Sequence, residues 1–267
     1  MSDYIWTTDR MFFKHETSEN LPCGTYSMHT HNVYELIYFV NGDATHVIED
    51  RKYKLKKGDL ILIRPFRYHF IQIDSPTVYE RYDILFDVEK NRVESAMLIP
   101  EETEVINIAG NTIIEELFRK CDVYSEISDK DTFEKLLSHI LSELFYNITL
   151  FPWASSETTA NLSPLLSKAL KYANDNLCTI SGVEELANHL FVSESYLFRL
   201  FKKELYRTPK KYIMEKRLLI ARNMILNGEK PTDVSVRCGF GDYTTFYRNY
   251  VNFFGHSPSD VDKKTDK

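Results

Sequence analysis

Apolar positions recur with two different periods along this chain of 267 residues. Up to about residue 90 they come in short bursts. Glu35 to Val40, Ala44 to Ile48, Asp59 to Ile63, His69 to Ile73 and Tyr79 to Phe86 are rich in β-branched and aromatic residues, and Asn41-Gly42-Asp43, Lys57-Gly58-Asp59 and Asp74-Ser75-Pro76 punctuate them. Such bursts between turn formers predict strands over residues 5 to 88, and many short strands close together predict a sandwich or barrel. From about residue 110 the period lengthens to nearly four. Ile113, Ile114, Leu117, Phe118 and Cys121 predict a short amphipathic helix, and Phe133, Leu136, Leu137, Ile140, Leu141, Leu144, Phe145 and Ile148 predict a longer one. A stripe of this kind packs either on its own barrel or on a second subunit.

Residues 151 to 162, with Pro152, Ser155, Ser156, Thr158, Thr159 and Asn161, read as a linker, and a helix from Pro164 to Asn176 is expected to prop the helices beyond it. The expected architecture is therefore α+β with two domains. A β-barrel spans 1–95, a helical extension spans 96–150, and an all-α domain with two helix-turn-helix units spans 163–267.

That last part writes one pattern twice. In the first copy Val183, Leu186, Ala187 and Leu190 recur at helical spacing, Phe191-Val192-Ser193 changes direction, and Ser193 is an N-cap residue for the next helix. The second helix is expected to bury Leu197, Leu200 and Phe201 and to leave Ser195, Phe198, Arg199, Lys202 and Lys203 outside. In the second copy Val234, Val236 and Cys238 supply the apolar side, Gly239-Phe240-Gly241 turns, and Asp242 caps a helix with Phe246, Tyr250 and Phe253 inward. Tyr243, Thr244, Tyr247 and Arg248 are its outward candidates.

Each copy closes on an N-cap residue followed by Pro, Thr208-Pro209 and Ser257-Pro258, and Asn227-Gly228 stops the helix between them. That helix, Pro209 to Leu226, has 18 residues. It would measure about 27 Å at ~1.5 Å per residue. It could set two reading helices close to one DNA turn apart, roughly 34 Å. A basic outer face alone would be an ordinary solvated face; the repetition and the spacing favour DNA reading. Arg199 and Arg248 are suited to guanine edges, Ser195, Tyr243, Thr244 and Tyr247 to bases or thymine methyls, and Lys202, Lys203, Lys210 and Lys211 to phosphates. Phe198 either meets thymine methyls or folds back onto the protein, and the bland role for Arg199 is a salt bridge.

The stretch Leu197-Phe198-Arg199-Leu200-Phe201-Lys202-Lys203-Glu204 with Thr208-Pro209, and Val234-Ser235 with Cys238-Gly239-Phe240, resemble the two signatures of AraC-type (AraC/XylS) transcription factors. Tyr206 departs from the pattern, standing where the family usually has a glycine, and Val261-Asp262 replaces the usual aromatic-basic pair after the last Ser-Pro. The resemblance implies sequence-specific binding of double-stranded DNA, more often for activation, with RNA polymerase as a partner. It also implies a homodimer formed through the helices that come after the barrel.

Charge agrees once the chain is divided. The whole carries −6, but from residue 160 onward there are 17 Lys and Arg against 12 Asp and Glu, and before it 16 against 27. A basic C-terminal part and an acidic N-terminal part have different partners. Cys23, Cys121, Cys178 and Cys238 show no paired or metal-type spacing, as expected in a reducing cytosol. The longest aliphatic run, Leu60 to Ile63, is far short of a membrane span, and no signal-peptide core is present, so a cytoplasmic protein without a membrane partner is expected.

One constellation in the strand region could carry chemistry. His29, His31 and Glu35 lie between Gly24 and Gly42, and His69 comes shortly after Pro65. This resembles the two motifs of the cupin barrel, the jelly roll usual for the N-terminal domain of sugar-responsive AraC-type proteins. His29 and His31 alternate along a strand and so point the same way. With Glu35 and His69 they either hold a divalent metal, as three nitrogens and a carboxylate can, or hydrogen-bond a small effector such as a carbohydrate, or each other, without metal or other cofactor, or serve only the structure of the core. Arg67 stands where metal-binding cupins usually have a glycine; it and Arg64 could pair with an anionic ligand through a forked guanidinium. Tyr38, Tyr68 and Phe70 are further candidates for lining the pocket. The rival to a ligand-sensing regulator is a metal-dependent cupin enzyme joined to a DNA-binding domain.

Overall fold

The computed structural model describes residues 4–8, 10–19, 21–26, 28–151, 153–155 and 160–260. The chain divides into two compact units, Met1–Ala160 and Asn161–Lys267. Pro152 and residues 156–159 of the expected linker, and Val261-Asp262, lie outside the described residues, and within that stretch Ala154–Ser155 is not free linker but a short strand paired with Ile106 and Asn107.

In the first unit the strands are β1 (Tyr4–Thr7), β2 (Met11–Ser18), β3 (Gly24–Thr25), β4 (Tyr34–Asn41), β5 (Ala44–Ile48), β6 (Arg51–Lys54), β7 (Asp59–Ile63), β8 (His69–Ile73), β9 (Tyr79–Phe86) and β10 (Val105–Asn107). One antiparallel sheet runs β1-β2-β9-β4-β7-β10 and the facing one runs β6-β5-β8-β3. Between the sheets, Ile37, Phe39, Ile61 and Ile63 meet Ala44, Ile48, Ile71 and Ile73. The outer face of the larger sheet, with Phe13, Leu36, Tyr38, Leu62, Tyr82 and Phe86, is covered by α1 (Thr112–Ile127) and α2 (Lys130–Leu150). β4 and β7 are thus buried on both faces, which explains why they read as continuous apolar runs rather than alternations.

The apolar stripe of α2 goes to its own barrel: Phe133, Leu137, Leu141, Leu144 and Phe145 are all buried in the same core as the sheet. A polar clip adds to the docking of α1. His15 on β2 meets Asp122 of α1 at 3.0 Å and Glu80 of β9 at 3.1 Å, and its ring stacks on Tyr82 at 3.8 Å. Burial alone would lower the His15 pKa; the two carboxylates outweigh it and hold the pKa above its ordinary value.

The second unit contains α3 (Pro164–Asp175), α4 (Val183–His189), α5 (Glu194–Leu205), α6 (Pro209–Leu226), α7 (Pro231–Arg237) and α8 (Tyr243–Phe254). The expected caps are in place. Ser193 accepts from the Tyr196 amide, Thr208 from Lys211 and Asp242 from Thr245, each satisfying an amide that the first helical turn leaves open. Ser257-Pro258 opens only a short 3-10 turn, Pro258–Asp260.

The rod α6 spans the 18 residues read from the sequence, but it is a core element, not a bare spacer. It packs against α5, α7 and α8, and buries Tyr212, Ile213, Leu218, Leu219 and Ala221. Its Arg217 guanidinium donates to the carbonyls of Leu177 and Ile180 in the α3–α4 loop and to Gly239 after α7, so one side chain ties both helix-turn-helix units together. Two sequence expectations fail here. Val236 is 71% exposed, because Val234 within the helix and Cys238 at its C-cap take the inward face and a residue two on from Val234 points away. Leu200 is only partly buried, the inward positions of α5 being Leu197, Phe201 and Leu205.

Candidate ligand pocket and DNA-reading surface

The barrel holds a cavity of about 150 Å³ between its two sheets. Ile37, Ile71, Ile73 and Tyr79 form its apolar wall, and His29, Glu35, His46, His69, Arg81 and Asp83 its polar end. Glu35 is the hub. Its Oε2 accepts from His31 Nε2 at 2.7 Å and lies 2.9 Å from His69 Nε2. Burial would raise the Glu35 pKa, but the two histidines hold it well below the usual carboxylate range. Asp83 goes the other way: burial, with the Glu35 charge beside it, pushes its carboxyl up to about 8. One of the two acids is therefore charged and the other protonated near neutral pH. Arg81 lies 3.2 Å from Asp83 and 4.0 Å from Glu16, and its own pKa is raised despite burial. His46 is pushed down to about 3 by burial and is neutral.

His29, Glu35 and His69 each present a donor atom within 4.8 Å of the others, a two-nitrogen, one-oxygen set of a kind that holds divalent transition metals. His69 Nδ1 bonds the Arg67 carbonyl, which orients its Nε2 toward Glu35. His31, the fourth residue of the expected set, has both nitrogens engaged, with the Val33 carbonyl and with Glu35.

In the second unit every outward candidate is exposed: Ser195, Phe198, Arg199, Lys202 and Lys203 on α5, and Tyr243, Thr244, Tyr247 and Arg248 on α8. The two helices have 12 residues each and can be aligned directly. A hydroxyl, an aromatic ring and an arginine then fall on the same second, fifth and sixth positions, Ser195, Phe198 and Arg199 in one and Thr244, Tyr247 and Arg248 in the other. Among the described residues neither arginine lies within 4.0 Å of a carboxylate, so the salt-bridge role for Arg199 is not seen. Phe198 borders a groove of about 580 Å³ with Val183, Glu194, Ser195, Arg199, Pro209 and Lys210, on the reading side of α5.

Two family models match, together over more than half of the chain: an AraC-like ligand binding domain over residues 19–103 and a helix-turn-helix domain over residues 186–264. The chain belongs to the AraC-type transcriptional regulators. It is 26% identical over 243 residues to the uncharacterized HTH-type transcriptional regulator YdiP of Escherichia coli, covering 87% of this chain and 79% of that one. It is 24% identical over 265 residues to the HTH-type transcriptional activator RhaS of Klebsiella pneumoniae, covering 90% and 89%. Among solved structures, it is similar to an AraC-type regulator from Chromobacterium violaceum, with 29% identity over 37% of this chain and 88% of that one, at a TM-score of 0.35. These relatives are named as a transcriptional regulator and a transcriptional activator, which favours the regulator over the metal-dependent cupin enzyme.

For an AraC-type barrel, the pocket residues read from the sequence need correction. Tyr38 is on the wrong face: on β4 it alternates with Glu35, Ile37 and Phe39, and it stacks on Phe118 of α1 at 4.5 Å, with burial pushing its pKa up to about 12. Arg67 does not line the cavity and lies 3.9 Å from Glu101, and Arg64 is spent on the carbonyls of Ile99, Pro100 and Thr103. His31 and Tyr68 do not line the cavity, whereas Phe70 does. His29 and His31 lie on no regular strand; His29 makes an isolated bridge to His69, yet both rings approach His69, at 4.1 and 5.0 Å. His46, Arg81 and Asp83 were missed. Tyr79-Glu80-Arg81-Tyr82-Asp83 did carry a signal, since charged residues two apart in a strand otherwise buried mark a polar patch on one face.

Proposed function

We propose that this regulator is a cytoplasmic one-component activator, in which a small polyhydroxylated effector such as a sugar enters the barrel and alters reading of DNA by α5 and α8. The observation that carries the DNA half is the repeated hydroxyl, aromatic and arginine on the outer faces of both helices. Arg199 and Arg248 would fork onto guanine edges, Phe198 and Tyr247 would meet thymine methyls, and Ser195, Tyr243 and Thr244 would add base or backbone contacts. Lys202 and Lys203 serve phosphates.

The cavity supports the effector class. Its acids accept from hydroxyl groups, Arg81 donates, and Tyr79 and the isoleucines suit a ring face. His29, Glu35 and His69 touch the effector, and Arg67, which does not line the cavity, meets it only on entry. Activation is supported by the name of the relative RhaS and brings RNA polymerase as a partner. Dimerisation rests on the outer face of α1, where Val123 and Ile127 stay 53% and 73% exposed after the helix has docked; sedimentation of the full chain over a range of concentrations checks it.

The deciding experiment is selection of bound duplexes from a random pool, with and without a panel of monosaccharides. The expected product is a pair of short motifs about one helical turn apart whose recovery depends on one sugar. Recovery of a single motif would refute paired reading, and recovery indifferent to every sugar would refute the effector class.

A further inference from the structure

The fold joins two cysteines that are 60 residues apart in the chain. Cys178 lies in the α3–α4 loop and is partly exposed; Cys238 closes α7 and is buried. The Cys178 carbonyl oxygen comes within 2.6 Å of the place a Cβ on Gly239 would occupy. Arg217 then brackets the pair, reaching Leu177 and Ile180 on either side of Cys178 and Gly239 beside Cys238. The backbone of Cys178 thus packs against the residue that follows Cys238, and the Cys238 thiol, 3.7 Å from the Met224 sulfur, is pushed up to about 12 by burial first and by Cys178 second. Cys178 is the more exposed of the two and the one an oxidant reaches first, with the buried thiol of Cys238 next to it in the fold.

We propose that Cys178 and Cys238 form a reversible disulfide that locks the first helix-turn-helix unit to the second, with a hydroperoxide as oxidant. The Cys178 sulfur, as thiolate, attacks the peroxide; an S–O bond forms, the O–O bond breaks and water leaves, giving a sulfenic acid. The Cys238 sulfur then displaces the hydroxyl. The S–S bond forms, the S–O bond breaks, and the second water departs with the Cys238 proton. Two thiols lose two electrons and hydrogen peroxide is reduced to two waters. A dithiol reverses the bond through a mixed disulfide. The link would sit directly before the Gly239 turn that aims α8, so oxidation acts on the relation between the two reading helices.

The test uses the full chain with hydrogen peroxide and peptide mapping without reductant. The expected product is a single cross-linked pair containing Cys178 and Cys238, lost with dithiothreitol and absent from Cys178→Ser, a substitution at a partly exposed position whose circular dichroism should match the wild type. Cys178 oxidised to sulfinic acid beside an unmodified Cys238, or joined only to Cys23, would overturn the assignment. Affinity for a duplex selected by the reduced protein supplies the second readout. A several-fold change on oxidation of the wild type, absent in Cys178→Ser, is expected; a cross-link that leaves affinity unchanged overturns the switch.

Discussion

At the tight turn of the first helix-turn-helix copy stands Phe191, at φ 56°; at the same turn of the second stands Gly239, at φ 76°. The hydrogen bonds around them match: Val192 donates back to Ala187, and Phe240 to Ser235. The helix ends repeat the contrast, with Tyr206 at φ 55° closing α5 and Gly255 at φ 76° closing α8. The left-handed turn is therefore demanded by the fold, and the residue adapts as far as space permits. Phe191 is 96% exposed, so its side chain meets nothing and only the backbone is strained. Gly239 has no such latitude, since a Cβ there would stand 2.6 Å from the Cys178 carbonyl and 2.9 Å from the Arg217 guanidinium.

The reading helices differ along a second line. Both carry the hydroxyl, the ring and the arginine, but one turn further on α5 has Lys202 and Lys203 where α8 has Val251 and Asn252. On this basis the first copy contributes more of the salt-dependent attraction to phosphates, and the two share base reading.

The largest expected effect comes from Gly239→Ala. It adds left-handed strain to overpacking against Arg217, together about 3 kcal/mol of lost stability in denaturant melts. A loss no larger than that of Gly255→Ala, which has open space around it, would break the contrast. Next is Arg248→Ala, expected to weaken the cognate duplex by roughly 1–3 kcal/mol and to relax one base position, with Arg199→Ala doing the same at the other half. Equal losses on random DNA in titrations would remove the base-reading role. Phe191→Gly should stabilise the protein by up to about 1 kcal/mol, the strain relieved less the entropy that glycine loses; a destabilised variant would mean the ring is packed after all. The smallest effect is Lys202→Ala, which should lower the slope of log affinity against log salt by about 1, whereas Asn252→Ala should leave it alone.

Much of the second unit was legible in the sequence, because its helices are specified locally. Ser193, Thr208 and Asp242 cap where they were expected to, and α6 begins and ends at the residues that Thr208-Pro209 and Asn227-Gly228 mark. Arg199 and Arg248 are exposed where the helical period put them. The barrel was legible as strands and only partly as a site. Glu35, His29 and His69 gather as their motif suggested, but Tyr38 lies on the opposite face of the same strand, and His46, Arg81 and Asp83 reach the pocket from strands whose facing the sequence left open.

By itself the sequence determined the periods, the caps, the duplicated reading helices and their charge, since each depends on residues within a few positions of one another. Tertiary structure decided which face of β4 and β9 looks into the cavity, that the α2 stripe is used up on its own barrel, and that Cys178, Arg217 and Gly239 meet. Those outcomes depend on packing between segments far apart in the chain, where shifting a strand by one residue exchanges its two faces and no local pattern records the neighbour.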